Sequence, residues 1–246
     1  MGTPRARIGT SGWVYDSWRG MVYPPEVPDA KRLEFYAEHL FETVELNASF
    51  YRWPSIKSFQ SWRRRLPEGF ELTVKAPRTL THAKRLYDPE QWIGWMKERL
   101  DILGDRLGVV LFQLPPDMER DDARLDHFLG ALPSDWKVAV EFRHASWHVE
   151  EVFAILERHG AAYVVMSGAK LPCILRVTAG SAYVRFHGPD EQHLYGGSYD
   201  EASMRWWADR IREWLAQGRD VYGYFNNDWD GHAVRNAQTL LAQLTG

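Results

Sequence analysis

Cysteine is nearly absent from this 246-residue sequence, Cys173 being the only one. A lone cysteine excludes an intramolecular disulfide and any CxxC metal site, and it suits a reducing compartment. It lies beside Pro172 with no activating partner in the adjacent sequence, so it is not expected to be a nucleophile. Net charge is equally scarce: 30 Lys and Arg against 33 Asp and Glu leave −3, with a pI near 6.3. That balance gives no global electrostatic reason to bind nucleic acid or a membrane surface and leaves only a local basic patch open. No stretch approaches the roughly 18 consecutive apolar residues of a membrane span. The opening MGTPRARIGTSGW has no apolar core of the kind a secretory signal needs. The chain is therefore expected to be cytoplasmic, with no membrane partner. There is no Walker loop, no GxGxxG after a strand and no GxSxG, which removes the common nucleotide-binding and serine-hydrolase readings.

Aromatic residues, by contrast, are in excess. Twelve Trp within 14% aromatics suit a site that stacks flat or ring-shaped ligands, although an aromatic-rich core accounts for most of them. Short β-branched runs alternate with helical periodicity. The strands are expected near Arg7–Thr10, Thr43–Asn47, Glu71–Lys75, Leu107–Gln113, Lys137–Arg143, Ala161–Met166, Ala182–His187 and Val221–Asn226. Helices are expected over Lys31–Leu40, Ile56–Leu66, Glu90–Leu103, Ala123–Leu132, Val149–His159, Glu201–Ala216 and Ala233–Leu244, with start signals at Ser55, Asp88-Pro89 and Asp200 and stops at Gly160 and Gly218. Such alternation implies parallel βαβ units, and eight strands at this length fit one α/β domain over residues 1–246, a single (β/α)8 TIM-type barrel. A doubly wound open sheet is the second choice. The slot between the sixth and seventh strands, Ser167–Gly180, reads as an extended loop in place of a helix.

Barrel enzymes carry their chemistry at the C-terminal ends of the strands. Period-two reading of each strand then picks the side chains that turn away from the helices. It selects Glu45 and Asn47 in TVELNASFY, Lys75 in ELTVKAP, Gln113 in VVLFQLPP, Glu141 and Arg143 in KVAVEFRHASW, and Arg185 and His187 in AYVRFHG. Ser11 and Trp13 end the first strand, and Asn226, Asn227 and Asp228 end the last, whose inward set is either Tyr222/Tyr224/Asn226 or Gly223/Phe225/Asn227. Asp228 or Asp230 also fits the cap of the closing helix. Unpaired charges of this kind would be costly in an ordinary core, so they are read as lining a ligand-accessible cavity rather than forming a self-satisfied ion network.

The stretches IGTSGWVYDSWRGMVYPP, VELNASFYRWP, FELTVKAP, VLFQLPP, VAVEFRHASW, AYVRFHGP, YGGSYDEASMRWWADRIREWL and DVYGYFNNDWDGHAVRNA resemble the YecE-like proteins, a family of unknown function, from Ile8 to about Ala237. The resemblance implies a (β/α)8 barrel and no particular reaction. Members often carry an Asp at the end of the sixth strand, where this chain reads VVMSG and has Ser167 or Gly168.

The residues themselves point to general acid–base chemistry of the hydrolase, lyase or isomerase type. Glu141 is the expected base or cation-stabilising carboxylate, Glu45 the partner acid and His187 the alternative proton shuttle. The substrate-binding set is Ser11, Trp13, Asn47, Lys75, Gln113, Arg143, Arg185, Asn226, Asn227 and Asp228. The cations Lys75, Arg143 and Arg185 favour a small anionic substrate, phosphorylated or sugar-like. Trp13, Trp18, Phe50, Tyr51, Trp53 and Trp147 are candidates for stacking on it. No cofactor is expected, and the scattered histidines argue against a metal; Glu141, His187 and Asp228 are the residues that would serve a divalent ion. The alternatives are a nucleic-acid-processing or nucleic-acid-binding protein and a non-catalytic small-ligand sensor.

Overall fold

The chain, described here by a computed structural model, is placed over residues 3–245. Its strands are β1 (Ala6–Thr10), β2 (Thr43–Leu46), β3 (Glu71–Lys75), β4 (Leu107–Gln113), β5 (Lys137–Glu141), β6 (Ala162–Ser167), β7 (Ser181–Phe186) and β8 (Asp220–Phe225). They form one parallel sheet in the order β1-β8-β7-β6-β5-β4-β3-β2. The two ends of that order meet where Ser11, just past β1, bridges Glu45 of β2, with Gly12 N donating to Glu45 O at 2.8 Å. The fold is thus the (β/α)8 barrel that the alternation demanded. β4, LGVVLFQ, illustrates why the strands read as they do: a strand covered on both faces is a nearly continuous apolar run, and its residues from Gly108 to Phe112 are all buried.

The helices are α1 (Arg32–His39), a single turn α2 (Ala48–Tyr51), α3 (Ile56–Arg65), α4 (Glu90–Leu100), α5 (Asp122–Ala131), α6 (Glu150–Arg158), α7 (Glu201–Ala216) and α8 (His232–Thr245). Ser55 and Asp200 cap α3 and α7 by accepting from Ser58 N at 3.2 Å and Ser203 N at 2.7 Å, each contributing about 1 kcal/mol. Asp88-Pro89 directly precedes α4 as expected, with no side-chain cap bond and with Asp88 in a left-handed turn at φ 45°. Asp228 has helical backbone and caps nothing, and Asp230 takes φ 51°. Residues 168–180 hold no helix, as expected. Among the described residues no helix is long and apolar enough to cross a membrane.

By their contacts the residues group into two compact units. One comprises the chain through Glu45, Val165–Leu175 and the chain from Gly180 onward. Its apolar core centres on Phe186, which stacks on Phe225 with centroids 4.1 Å apart and meets Trp207 edge-on at 5.0 Å. α7 buries Met204, Trp207, Ala208, Ile211 and Trp214, the i, i+3, i+4, i+7 stripe of an amphipathic helix. The other comprises Leu46–Val164 and Arg176–Ala179. There Phe142 stacks on Trp147 at 4.9 Å and Phe112 meets Phe128 at 4.9 Å. The short return segment is anchored by Thr178, whose hydroxyl donates to Ala161 O at 2.6 Å and accepts from Tyr163 N at 2.8 Å. Arg176 pairs with Glu157 at 2.9 Å.

Candidate functional site

In the first unit, β2 and β7 bring together the charges expected there. Glu45 accepts from Arg185 Nη2 at Oε1 (2.6 Å) and from Arg185 Nε at Oε2 (3.1 Å). Ser11 Oγ donates to Oε1 at 2.7 Å, and Tyr183 OH donates to Oε2 at 2.6 Å. Each carboxylate oxygen thus receives two hydrogen bonds. Taking both charges out of water is costly, and the bidentate geometry with its two extra donors is what offsets that cost. Burial, followed by the nearby Glu45 charge, holds the Tyr183 phenol well above its ordinary range, so it remains a donor. Tyr15 adds a second protonated phenol beside the group: it donates to Ser11 O, and burial, Asp228 and Glu45 all raise it. Gly12, at φ 97°, makes room for it, since a Cβ there would lie 2.8 Å from the Tyr15 hydroxyl. Tyr23 OH donates to Trp13 O at 2.6 Å, fixing the backbone of that rim.

His187 directly follows β7 and is buried. Its backbone N donates to Ser167 O at 2.7 Å, and its Nδ1 lies 3.4 Å from Asn226 Nδ2. The inward set of β8 is settled by its neighbours. Tyr222 stacks on Tyr183 at 6.4 Å and Tyr224 OH bonds Thr43 Oγ1 at 2.7 Å, whereas Phe225 turns the other way onto Phe186. Tyr222, Tyr224 and Asn226 therefore share the face of Glu45 and Arg185. Asn227, on the opposite face, is a clasp. Its amide donates to Gly197 O and to Asn236 Oδ1, both at 2.9 Å, and Asn236 in turn accepts from Tyr199 N at 3.2 Å and donates to Tyr199 O at 3.1 Å. Asp228 is half-buried, and that burial raises its carboxyl above the usual range. Ser167, at the end of β6, accepts from Tyr199 OH at 3.0 Å, and burial pushes that phenol up to about 12.

In the second unit, the ends of β3, β4 and β5 carry the rest. Arg143 Nε donates to Glu141 Oε1, with Glu141 fully buried and the Arg143 side chain 9% exposed. Gln113 lies beside Glu141 in the β4–β5 register. Lys75 is buried, its ammonium 4.0 Å from the centroid of the Phe50 ring, and its carbonyl accepts from Ser49 Oγ at 2.6 Å. Asn47 presents a buried Oδ1 that has no hydrogen-bond partner among the described residues. His82, which the strand pattern does not reach, sits on the turn after β3 with its ring edge-on to Phe50 at 5.0 Å.

Two of the candidate stacking aromatics are packing residues instead. Trp18 and Trp147 are fully buried with their indole donors paired to Asp228 O (2.9 Å) and Met118 O (2.7 Å). Tyr51 is 83% exposed. Among the described residues, no group of three or more His, Cys, Asp or Glu is placed to hold a metal ion.

The family model described as "Protein of unknown function DUF72" matches residues 7–246. The UPF0759 protein YunF of Bacillus subtilis (strain 168) is 29% identical, over 96% of this chain and 94% of YunF. The UPF0759 protein YecE of Escherichia coli (strain K12) is 24% identical, over 84% of this chain and 81% of YecE. The crystal structure of a DUF72 family protein from Thermotoga maritima MSB8 superposes with a TM-score of 0.90 at 31% identity, covering 98% of this chain and all of that one.

Proposed function

As this chain belongs to the DUF72 family, whose description names no reaction, we propose its function from its own side chains: an enzyme using general acid–base chemistry on a small anionic substrate, phosphorylated or sugar-like. One observation carries this reading. Glu45, Lys75, Glu141, Arg185 and His187 are each at most 8% exposed, and every one lies at or just past the C-terminal end of its strand. Glu45 with Arg185 and Glu141 with Arg143 offset one another's burial, and in this fold that end of the strands is where substrates bind. In the first unit His187, steadied by Asn226, is the proton shuttle; in the second, Glu141, held by Arg143, is the base or cation-stabilising carboxylate. Glu45 has both oxygens engaged by protein donors, so its part is to fix Arg185 in one pose for an anionic group rather than to exchange protons itself. Asn47, with its unsatisfied acceptor, suits a substrate hydroxyl.

A thermal-shift screen of sugar phosphates, hydroxy acids, keto acids and single-stranded oligonucleotides tests the reading. A small anion at a hundred times its Kd should stabilise the protein by about 2.7 kcal/mol and be converted to product. Salt-dependent stabilisation by oligonucleotides alone would favour nucleic-acid processing, and a tightly bound small anion that is never converted would favour a sensor.

A further inference from the structure

His187 is given the proton-shuttle role, yet its side chain is fully buried. A group that must meet a substrate but is sealed in the folded chain requires some part of the fold to move. The segment that follows it is built to do so. Residues 188–197 leave the end of β7 and return beside it, where Tyr195 N donates to His187 O at 2.9 Å and Asp190 N to Gly196 O at 3.4 Å. Between these neck bonds Pro189 and residues 191–194 are exposed. The lobe is bonded to itself: Asp190 accepts from Gln192 N at 2.7 Å and from His193 N at 3.2 Å, and Gly196 N donates to His193 O at 2.9 Å. A compact loop with close ends and internal bonds keeps its shape when it moves.

The neck begins and ends in glycines at positive φ, Gly188 at 90° and Gly197 at 78°. A Cβ on Gly188 would lie 2.1 Å from Gly196 O, so the two sides of the neck run in direct contact. Both ends are pinned from outside the lobe. Gly188 N donates to Tyr199 OH at 3.1 Å, and Gly197 O accepts from Asn227 Nδ2 at 2.9 Å. Beyond the pins the lobe rests on rings: half-buried Tyr195 lies 5.5 Å from the His187 ring, and His193 lies 5.8 Å from Trp229, itself 57% exposed. Tyr195 is held at φ 74°, a region costly for any residue with a side chain and one that clusters at clamps and switch segments.

We propose that residues 188–197 are a lid that swings about Gly188 and Gly197, and that Tyr195 is the gate it carries over His187. This rests on the reading of His187 as the proton shuttle and adds how a substrate reaches it. Opening breaks the Tyr195 N–His187 O bond and parts the two ring contacts, while the bonds inside the lobe and both pins stay intact. It is therefore a local event, far smaller than unfolding. Closing over a bound substrate keeps water from His187 during proton transfer.

Diethyl pyrocarbonate, which modifies accessible neutral imidazoles, is the probe, read residue by residue by mass spectrometry with the exposed His127 as internal standard. In the wild-type chain His187 should be modified more slowly than His127, at a rate that stays constant as urea is raised below the unfolding transition, because lid opening exposes little surface. The lid is locked by His193→Cys with Trp229→Cys in a Cys173→Ser background, bridged by a short bis-maleimide. Bridging should slow His187 modification about ten-fold against the unbridged variant and leave His127 unchanged. Modification of His187 that tracks global unfolding in urea, or that proceeds undiminished in the bridged chain, would overturn the lid. If the cysteine variant folds poorly, the urea series on the wild-type chain decides alone. The acid–base reading is judged by turnover, so a failure of the lid leaves it standing. Labelling needs no substrate, so a failure of turnover leaves the lid result unaffected.

Discussion

Arg185 and Glu45 meet in two parallel hydrogen bonds, Nη2 to Oε1 at 2.6 Å and Nε to Oε2 at 3.1 Å, with neither side chain more than 1% exposed. Removing one partner of such a pair strands the other charge away from water. Glu45→Gln is therefore expected to cost about 3–5 kcal/mol of stability, and Glu45→Met with Arg185→Met together to cost less than Glu45→Gln alone. Urea denaturation of the single and double variants measures this; a loss under about 1 kcal/mol in Glu45→Gln would mean that the guanidinium has another counter-charge.

Asn227 and Asn236 act as one clasp between the end of β8 and the backbone at Gly197 and Tyr199. Either Asn→Ala change leaves buried groups unsatisfied and should cost about 1–3 kcal/mol. Because the two side chains share a bond, the double variant should lose clearly less than the sum of the singles. Chemical denaturation of the three variants gives the coupling directly.

Two glycines make opposite predictions. A Cβ on Gly9 would lie 2.3 Å from Thr43 O, a backbone atom that cannot step aside, so Gly9→Ala should destabilise by about 3 kcal/mol or prevent folding. A Cβ on Gly94, within α4, meets nothing within 4 Å, so Gly94→Ala should stabilise by about 0.5–1 kcal/mol. Thermal melts of the two variants should therefore move in opposite directions.

His82 also gives stability a pH dependence. Its folded value, about 4, lies below the ordinary 6.5, so the unfolded chain binds the extra proton across that interval. Stability contributed by the neutral imidazole is present above pH 6.5 and is lost as pH falls toward 4. His82→Gln should flatten this part of a melting-temperature profile recorded without added anions; an unchanged slope would show that other groups set it.

Much of this architecture is legible in the chain. The strands are short β-branched runs between turn residues, and period two within them is enough to put Glu45, Glu141 and Arg185 on the face away from the helices. The same rule reaches Tyr183, two residues before Arg185, but a tyrosine in an apolar run reads as core, and no local pattern announces a bond to Glu45 across 138 residues. β8 is ambiguous because both its faces carry aromatics, and only the stacking of Phe225 on Phe186 and the Tyr224–Thr43 bond decide it. His82 lies on a turn, where neither helical nor strand periodicity applies. The cap expected of Asp228 fails because its backbone is already helical, which leaves its carboxyl without the extended geometry a cap requires.

In the proposed chemistry, buried ionisable groups at the strand ends move protons on a small anionic substrate. The most direct measurement takes the small anion that stabilises the protein and follows its conversion by NMR in D2O with the wild-type chain, Glu141→Gln and His187→Gln. Conversion by the wild-type chain, a loss of about 100-fold or more in each variant, and ligand affinity kept within a few-fold are expected. Wild-type conversion that both variants match would contradict that chemistry.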